Sequence, residues 1–205
     1  MFQGTEAIVL RILREKQPIS RAQIAQLSRL SKPAVSEIVG RLIAMGAIVE
    51  SETGCSTPRG GKKPRLLSFC PNFKTIIAVD VGGTNIRTVL SNLDGGFLKR
   101  IEGSTRAVRT KAALLQLITD SIDALGDLTR ERVVGIGIGI PGTVDPGNGV
   151  IQYIPAFNLR GVEIAEELAE TYGHPVFLAN DVTLNALGEL WKGEARGSKS
   201  LLLVS

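Results

Sequence analysis

The segment of this 205-residue chain best suited to chemistry is Asp80-Val81-Gly82-Gly83-Thr84-Asn85. Two glycines without Cβ let backbone amides approach phosphate oxygens, and the Thr84 hydroxyl adds a donor. Asp80, closing an apolar run, is placed to hold a magnesium ion through water; in a plain Gly-Gly hairpin it would only form the turn. A second group suits a polyanion. Arg59, Lys62, Lys63 and Arg65 crowd a Gly- and Pro-rich stretch and would lie along a phosphate backbone. A third group, Ser36, Glu37 and Arg41, falls on the polar side of a helical pattern, where small and polar residues fit a major groove. Arg41 could there reach a phosphate or a guanine edge.

The first two of these groups need rigid elements on either side. Thr75 to Val81 is an apolar run that predicts a buried strand ending at Asp80. Ile86 to Leu93 and Phe97 to Glu102 predict its hairpin partners, with Asp94-Gly95-Gly96 as the second turn. Thr110 to Leu125 predicts an amphipathic helix, and Val133 to Ile140 a further strand, followed by an irregular loop over 141–147. Val176 to Ala179 predicts another strand, Val182 to Leu190 a helix behind Asn180-Asp181, and residues 201–205 the start of a strand. Gly137-Ile138-Gly139-Ile140-Pro141-Gly142 spells GxGxxG. No helix can start there, because Pro141 leads into Asp145-Pro146-Gly147, so a dinucleotide site is rejected.

The first third has its own pattern. Ile8, Val9, Ile12 and Leu13 fall at helical spacing over residues 5–16, and Pro18 ends that helix. Ser20 and Gln23 predict a capping box for a short second helix. Ser31 opens a third, with Pro33 tolerated in its first turn and Val35, Ile38, Val39, Leu42 and Ile43 on one face. Residues 47–50 and 66–69 predict two strands joined by the basic loop. Three helices and a basic ribbon in this order resemble a winged helix-turn-helix DNA-binding domain.

Charge divides in the same place. Residues 1–73 carry 11 Lys and Arg against 5 Asp and Glu, whereas residues 74–205 carry 13 against 15. A locally basic small domain is the footprint of a polyanion binder. The two cysteines, Cys55 and Cys70, form no CxxC pair and make no disulfide framework. No run approaches the roughly 20 apolar residues needed to span a bilayer, and charges interrupt the N-terminal apolar stretch, so a cytoplasmic protein is expected.

Asp80-Val81-Gly82-Gly83-Thr84, the strand and loop from Gly135 to Gly142, Asn158-Leu159 and Asn180-Asp181 together resemble the successive motifs of the ROK family of repressors, open reading frames and kinases. The family's kinases share the actin-like, ribonuclease-H-like ATPase fold, and its repressors carry an N-terminal winged helix. The resemblance spans the whole chain but only the front half of the family's ligand-binding region. It implies that Asp80, Gly82, Gly83 and Thr84 bind nucleotide phosphates. It also implies that Gly142, Asn158, Asn180 and Asp181 contact sugar, with Asp181 as the base that takes a proton from a sugar hydroxyl. The Trp that family kinases place a few residues after the sugar-contact Asn is missing from Asn158-Leu159-Arg160-Gly161-Val162. The family's second phosphate loop and zinc-binding cysteines have no counterpart here. His174, before Pro175, is a turn residue, so no metal site is expected in this chain.

The expected fold is therefore α/β, α+β overall. A winged helix-turn-helix over residues 1–73 precedes an incomplete actin-like/ribonuclease-H-like ATPase domain over 74–205, comprising its N-terminal lobe and the start of the second. The expected function is a sugar-responsive transcriptional regulator, a repressor of carbohydrate-metabolism genes. Its partners would be an operator duplex, bound as a homodimer, and a sugar or sugar phosphate. The alternative is a sugar kinase using ATP and Mg2+ with an appended DNA-binding domain. That reading is less favoured because nothing in the chain would complete the cleft and exclude water.

Overall fold

The computed structural model describes residues 4–53, 64–126 and 132–203. Contacts divide the chain into two compact units, Met1–Phe73 and Lys74–Ser205.

In the first unit, α1 (Gly4–Lys16) buries Val9, Leu10 and Leu13. Helix α2 (Arg21–Ser28) begins with the capping box: Ser20 accepts from the Gln23 amide, and the Gln23 side chain accepts from the Ser20 amide at 3.0 Å. Helix α3 (Lys32–Ala44) is capped by Ser31 and carries Pro33 in its first turn, where no intrahelical amide is lost. It buries Val35, Ile38, Val39 and Leu42 against the other two helices. Gly46, at φ 79°, lets the chain reverse into β2 (Ile48–Thr53). Strand β3 (Arg65–Phe69) pairs with β2 and with a short strand, β1 (Ile19–Ser20), giving the sheet order β1-β3-β2. The wing thus has a third strand that Pro18 hides from a sequence reading. A two-residue strand leaves no periodicity to detect.

The second unit is built on a five-stranded sheet of order β11-β7-β4-β5-β6. Strands β4 (Thr75–Val81), β5 (Asn85–Asn92) and β6 (Phe97–Ser104) form the expected antiparallel meander. Helix α4 (Lys111–Asp123), capped by Thr110, then crosses to β7 (Val133–Ile140), which runs parallel to β4. Helix α5 (Ala165–Tyr172) leads to β11 (Val176–Asn180), parallel to β7, and α6 (Asp181–Lys192) follows at once.

Strand periodicity decides the layers. Ile77, Val79 and Val81 of β4 are buried together with Ile136 and Ile138 of β7 and with Leu114, Ile118 and Ile122 of α4. Burying each such side chain contributes about 1.5–3 kcal/mol. A buried hydroxyl pair, Thr88 Oγ1 and Ser121 Oγ at 2.8 Å, ties α4 to β5. Lys99 donates to the carbonyls of Ala124 and Leu125, both at 2.9 Å, satisfying acceptors at the end of α4.

Residues 141–147 differ from the expected irregular loop. β8 (Thr143–Asp145) pairs with β9 (Val150–Ile154), which pairs with β10 (Leu159–Glu163) in a small antiparallel sheet. The cause is Asp145. Its Oδ1 accepts the amides of Gly147 and Asn148, at 3.1 and 3.2 Å, and its Oδ2 accepts Asn148 Nδ2 at 2.8 Å. This Asx turn sends the chain back as a hairpin. The Asn148 side-chain donor, then the backbone amides, hold the Asp145 carboxyl below its usual range. Residues 201–203 form no strand.

Candidate functional site

In the first unit the exposed side of α3 presents Lys32, Pro33, Ser36, Glu37 and Gly40, opposite its buried face. Arg41 lies on the flank, and its guanidinium is committed. Nε and Nη2 each lie 3.1 Å from Glu6 Oε1 of α1, and Nη1 lies 2.8 Å from Glu37 Oε1. Sequence reasoning gave Arg41 a phosphate or guanine; the structure gives it two carboxylates. Of the predicted ribbon residues, Arg59, Lys62 and Lys63 lie outside the described residues. Arg65 forms an ion pair with Glu50, which also accepts Arg21 Nη2 at 2.7 Å. Arg65, then Arg21, lower the Glu50 carboxyl from its ordinary value, and Glu50 raises Arg65 in turn.

In the second unit three parallel strands deliver the predicted residues to one edge. The register aligns Asp80 with Gly139, Gly139 with Ala179 and Ile140 with Asn180. Sites of α/β sheets open at such carboxyl ends. Asp80 is exposed, and Arg87, its register partner on β5, lies 3.5 Å from Oδ2. Sequence reasoning missed Arg87, although the hairpin register already places residue 87 opposite residue 80.

The turn after β4 is tight for a definable reason. The Gly82 amide donates to Asn85 O at 2.7 Å, and a Cβ at Gly82 would lie 3.0 Å from that oxygen. Buried Thr105, which no sequence pattern singled out, clamps the turn. Its hydroxyl donates to Gly82 O at 2.9 Å and its amide to Thr84 O at 3.0 Å. The amides of Gly83 and Thr84 donate to none of the described residues, so these two, rather than Gly82, remain to meet phosphate oxygens. Gly83 is also where the turn meets the second predicted cluster. A Cβ there would sit 3.4 Å from Ala156 Cβ, in the single 3-10 turn Pro155–Phe157 that precedes Asn158. Asn158 adopts a left-handed conformation at φ 52°, which Asn tolerates better than most residues.

Asn180 does two things. Its Oδ1 caps α6 by accepting the Thr183 amide at 3.1 Å, and its Nδ2 donates to Gly142 O at 2.8 Å. An N-cap of this kind is worth about 1 kcal/mol. Asp181 starts α6, with Oδ1 accepting the Val182 amide at 2.9 Å. Asp80 and Asp181 open onto one groove of about 920 Å³ on the α6 face of the sheet. Gly139 brings α6 close, since a Cβ there would meet Leu184 at 3.1 Å. Arg87 joins the carboxylates in this groove, Ile76, Val89, Phe97, Leu187 and Trp191 give it apolar walls, and Arg100 adds a second cation. Gly142, Asn158 and Asn180 do not line it. The structure therefore divides the predicted sugar residues between the groove and the adjoining loop edge.

A nucleotide's phosphates fit the free Gly83 and Thr84 amides, with exposed Asp80 beside them to hold a hydrated cation. Among the described residues no three His, Cys, Asp or Glu side chains converge. Among those residues, too, no helix is long and apolar enough to cross a membrane.

The architecture is a winged helix-turn-helix followed by a region of the actin-like ATPase fold, and sequence comparison agrees. The ROK family profile matches residues 76–205, and a winged helix-turn-helix DNA-binding profile matches residues 8–49. The chain belongs to the ROK family. It is 30% identical over 206 residues to the xylose repressor of Caldicellulosiruptor bescii, covering 99% of this chain and 51% of that protein. It is 31% identical over 207 residues to the DNA-binding transcriptional dual regulator NagC of Escherichia coli, covering 98% and 50%. The glucokinase of Thermotoga maritima is 34% identical over 136 residues, covering 66% and 42%. The chain thus spans about half the length of the curated relatives it matches. Among solved structures, a ROK family transcriptional regulator described as a homolog of E. coli MLC superposes with a TM-score of 0.71 at 24% identity, covering 90% of this chain and 47% of that one.

Proposed function

We propose that this protein is a sugar-responsive transcriptional repressor of carbohydrate-metabolism genes, working in the cytoplasm as a homodimer on operator DNA. One observation carries the reading: α3 holds an exposed polar line opposite a fully buried apolar face, within a winged fold joined to a ROK lobe. The names of two relatives, xylose repressor and N-acetylglucosamine repressor, support it. A sugar or sugar phosphate held near Asn158, Asn180 and Asp181 would act by binding the DNA-competent and DNA-incompetent states unequally. Arg59, Lys62, Lys63 and Arg65 would supply phosphate contacts, and Ser36 and Glu37 would enter the major groove.

The test is the salt dependence of duplex binding. Affinity is expected to fall linearly on logarithmic axes. The double variant Lys62→Ala/Lys63→Ala should flatten the slope by about 2, one unit per lost phosphate contact. Duplex binding without a salt slope, or none at all, overturns the reading.

One observation favours a second activity: the carboxylates of Asp80 and Asp181 share a groove beside two unpaired turn amides. That is the arrangement phosphoryl transfer needs, with anion binding on one side and a proton acceptor on the other. ATP and Mg2+ would supply the phosphoryl group and charge neutralisation, and Asp181 would take the hydroxyl proton. ATP-dependent phosphorylation across a hexose panel checks this. Activity that persists in Asp181→Asn removes Asp181 as the base.

A further inference from the structure

Glu37 is an odd residue for a helix that must enter DNA. Duplex DNA carries one negative charge per about 1.7 Å of its axis, and a carboxylate among those charges is repelled. Yet Glu37 lies on the exposed line of α3, opposite Val35, Ile38, Val39 and Leu42, and its side chain is 72% exposed. Its Oε1 is held by Arg41 Nη1 at 2.8 Å, and Arg41 is itself fixed from behind by Glu6 of α1 at 3.1 Å. Oε2 accepts from none of the described residues. With the side chain this exposed, that oxygen faces solvent and is open to a partner.

We propose that Glu37 is the base-reading residue of α3 and that its target is a cytosine in the major groove, with Glu6 and Arg41 as positioning residues. The assignment rests on the DNA-binding reading above. A carboxylate needs a donor, and the major groove offers only two, the exocyclic amines of cytosine N4 and adenine N6. Beside N6, adenine presents N7, an acceptor whose lone pair opposes the carboxylate. Beside N4, cytosine presents only C5–H. Arg41 turns Nε and Nη2 to Glu6 and Nη1 to Glu37. It therefore offsets the carboxylate's repulsion from the phosphates and fixes its rotamer.

The experiment is selection of bound sequences from a randomised duplex library by the full chain and its variants, with thermal melting as a folding control. The parent protein should enrich sites in which one C·G pair per half-site is preferred roughly 5- to 150-fold over other pairs. Glu37→Ala should lose that preference, keep the rest of the motif and bind non-specific duplex more tightly. Glu37→Gln should shift the same position towards A·T, because an amide pairs with adenine N6 and N7. Glu6→Gln should weaken the preference without moving it. A change of base identity at one position is something a merely structural role for Glu37 would not produce. An unchanged motif in both Glu37 variants overturns the assignment and leaves DNA binding standing. Failure of every variant and the parent to bind duplex overturns both.

Discussion

Gly142→Ala is expected to abolish sugar binding while leaving duplex affinity intact. The methyl group would sit 2.1 Å from Tyr153 O, 3.1 Å from Tyr153 C and 3.2 Å from Ile154 Cα. These are backbone atoms of β9, so no rotamer change can relieve the clash, and β8 and β9 must part. Overpacking of this kind typically costs about 1–3 kcal/mol. The functional loss should exceed the loss in stability, because two predicted sugar residues hang on this spot. Asn180 Nδ2 donates to Gly142 O, and Asn158 follows Ile154 by four residues. Moving β9 therefore displaces the sugar loop and frees the cap of α6 together. The parent chain, titrated under the same conditions, is the control. Calorimetric titration with a sugar panel checks the difference. Equal binding by Gly142→Ala and the parent chain removes the loop edge from the site.

Leu42→Ala is expected to unfold the first unit near physiological temperature and to remove duplex binding with it. Leu42 is fully buried at the centre of the three-helix core, beside Val39 and Leu13. Large-to-small substitutions of this type cost about 2–5 kcal/mol. A unit of 73 residues has a total stability of only about 4–11 kcal/mol. The change therefore consumes a large share of what holds α3 in place, and the melting temperature of this unit should fall on the order of 10–30 °C. The second unit should be unaffected, so a differential melt separates the two. A first unit that melts as before would mean that this core does not support the groove-facing helix.

The same two residues mark what a sequence can and cannot reveal. Leu42 is legible in the sequence: helical periodicity, the Ser31 cap and Pro33 in the first turn place it on the buried face. Gly142 stands out in the sequence only through the family resemblance, which implies a sugar contact there. Its packing against Tyr153 depends on β8 and β9, and no pattern predicted that hairpin. Arg41 shows the commonest limit. Its spacing from Glu37 is local, whereas Glu6 lies 35 residues away, and only the packing of α1 beside α3 brings the two together.

By itself the sequence determined the elements and their faces: the capped helices, the buried strand ending at Asp80, the Gly82-Gly83 turn and the division of charge near residue 73. These follow from interactions between residues within about a turn or a pleat of each other, and such interactions leave periodic traces. Tertiary structure alone decided which polar groups meet. It paired Arg41 with Glu6, tied Asn180 to Gly142 across 38 residues, and opened Asp80 and Asp181 onto one groove. A hydrogen bond forms only within about 3 Å, and positions that close are set by strand register and helix packing over the whole unit, which no local pattern encodes.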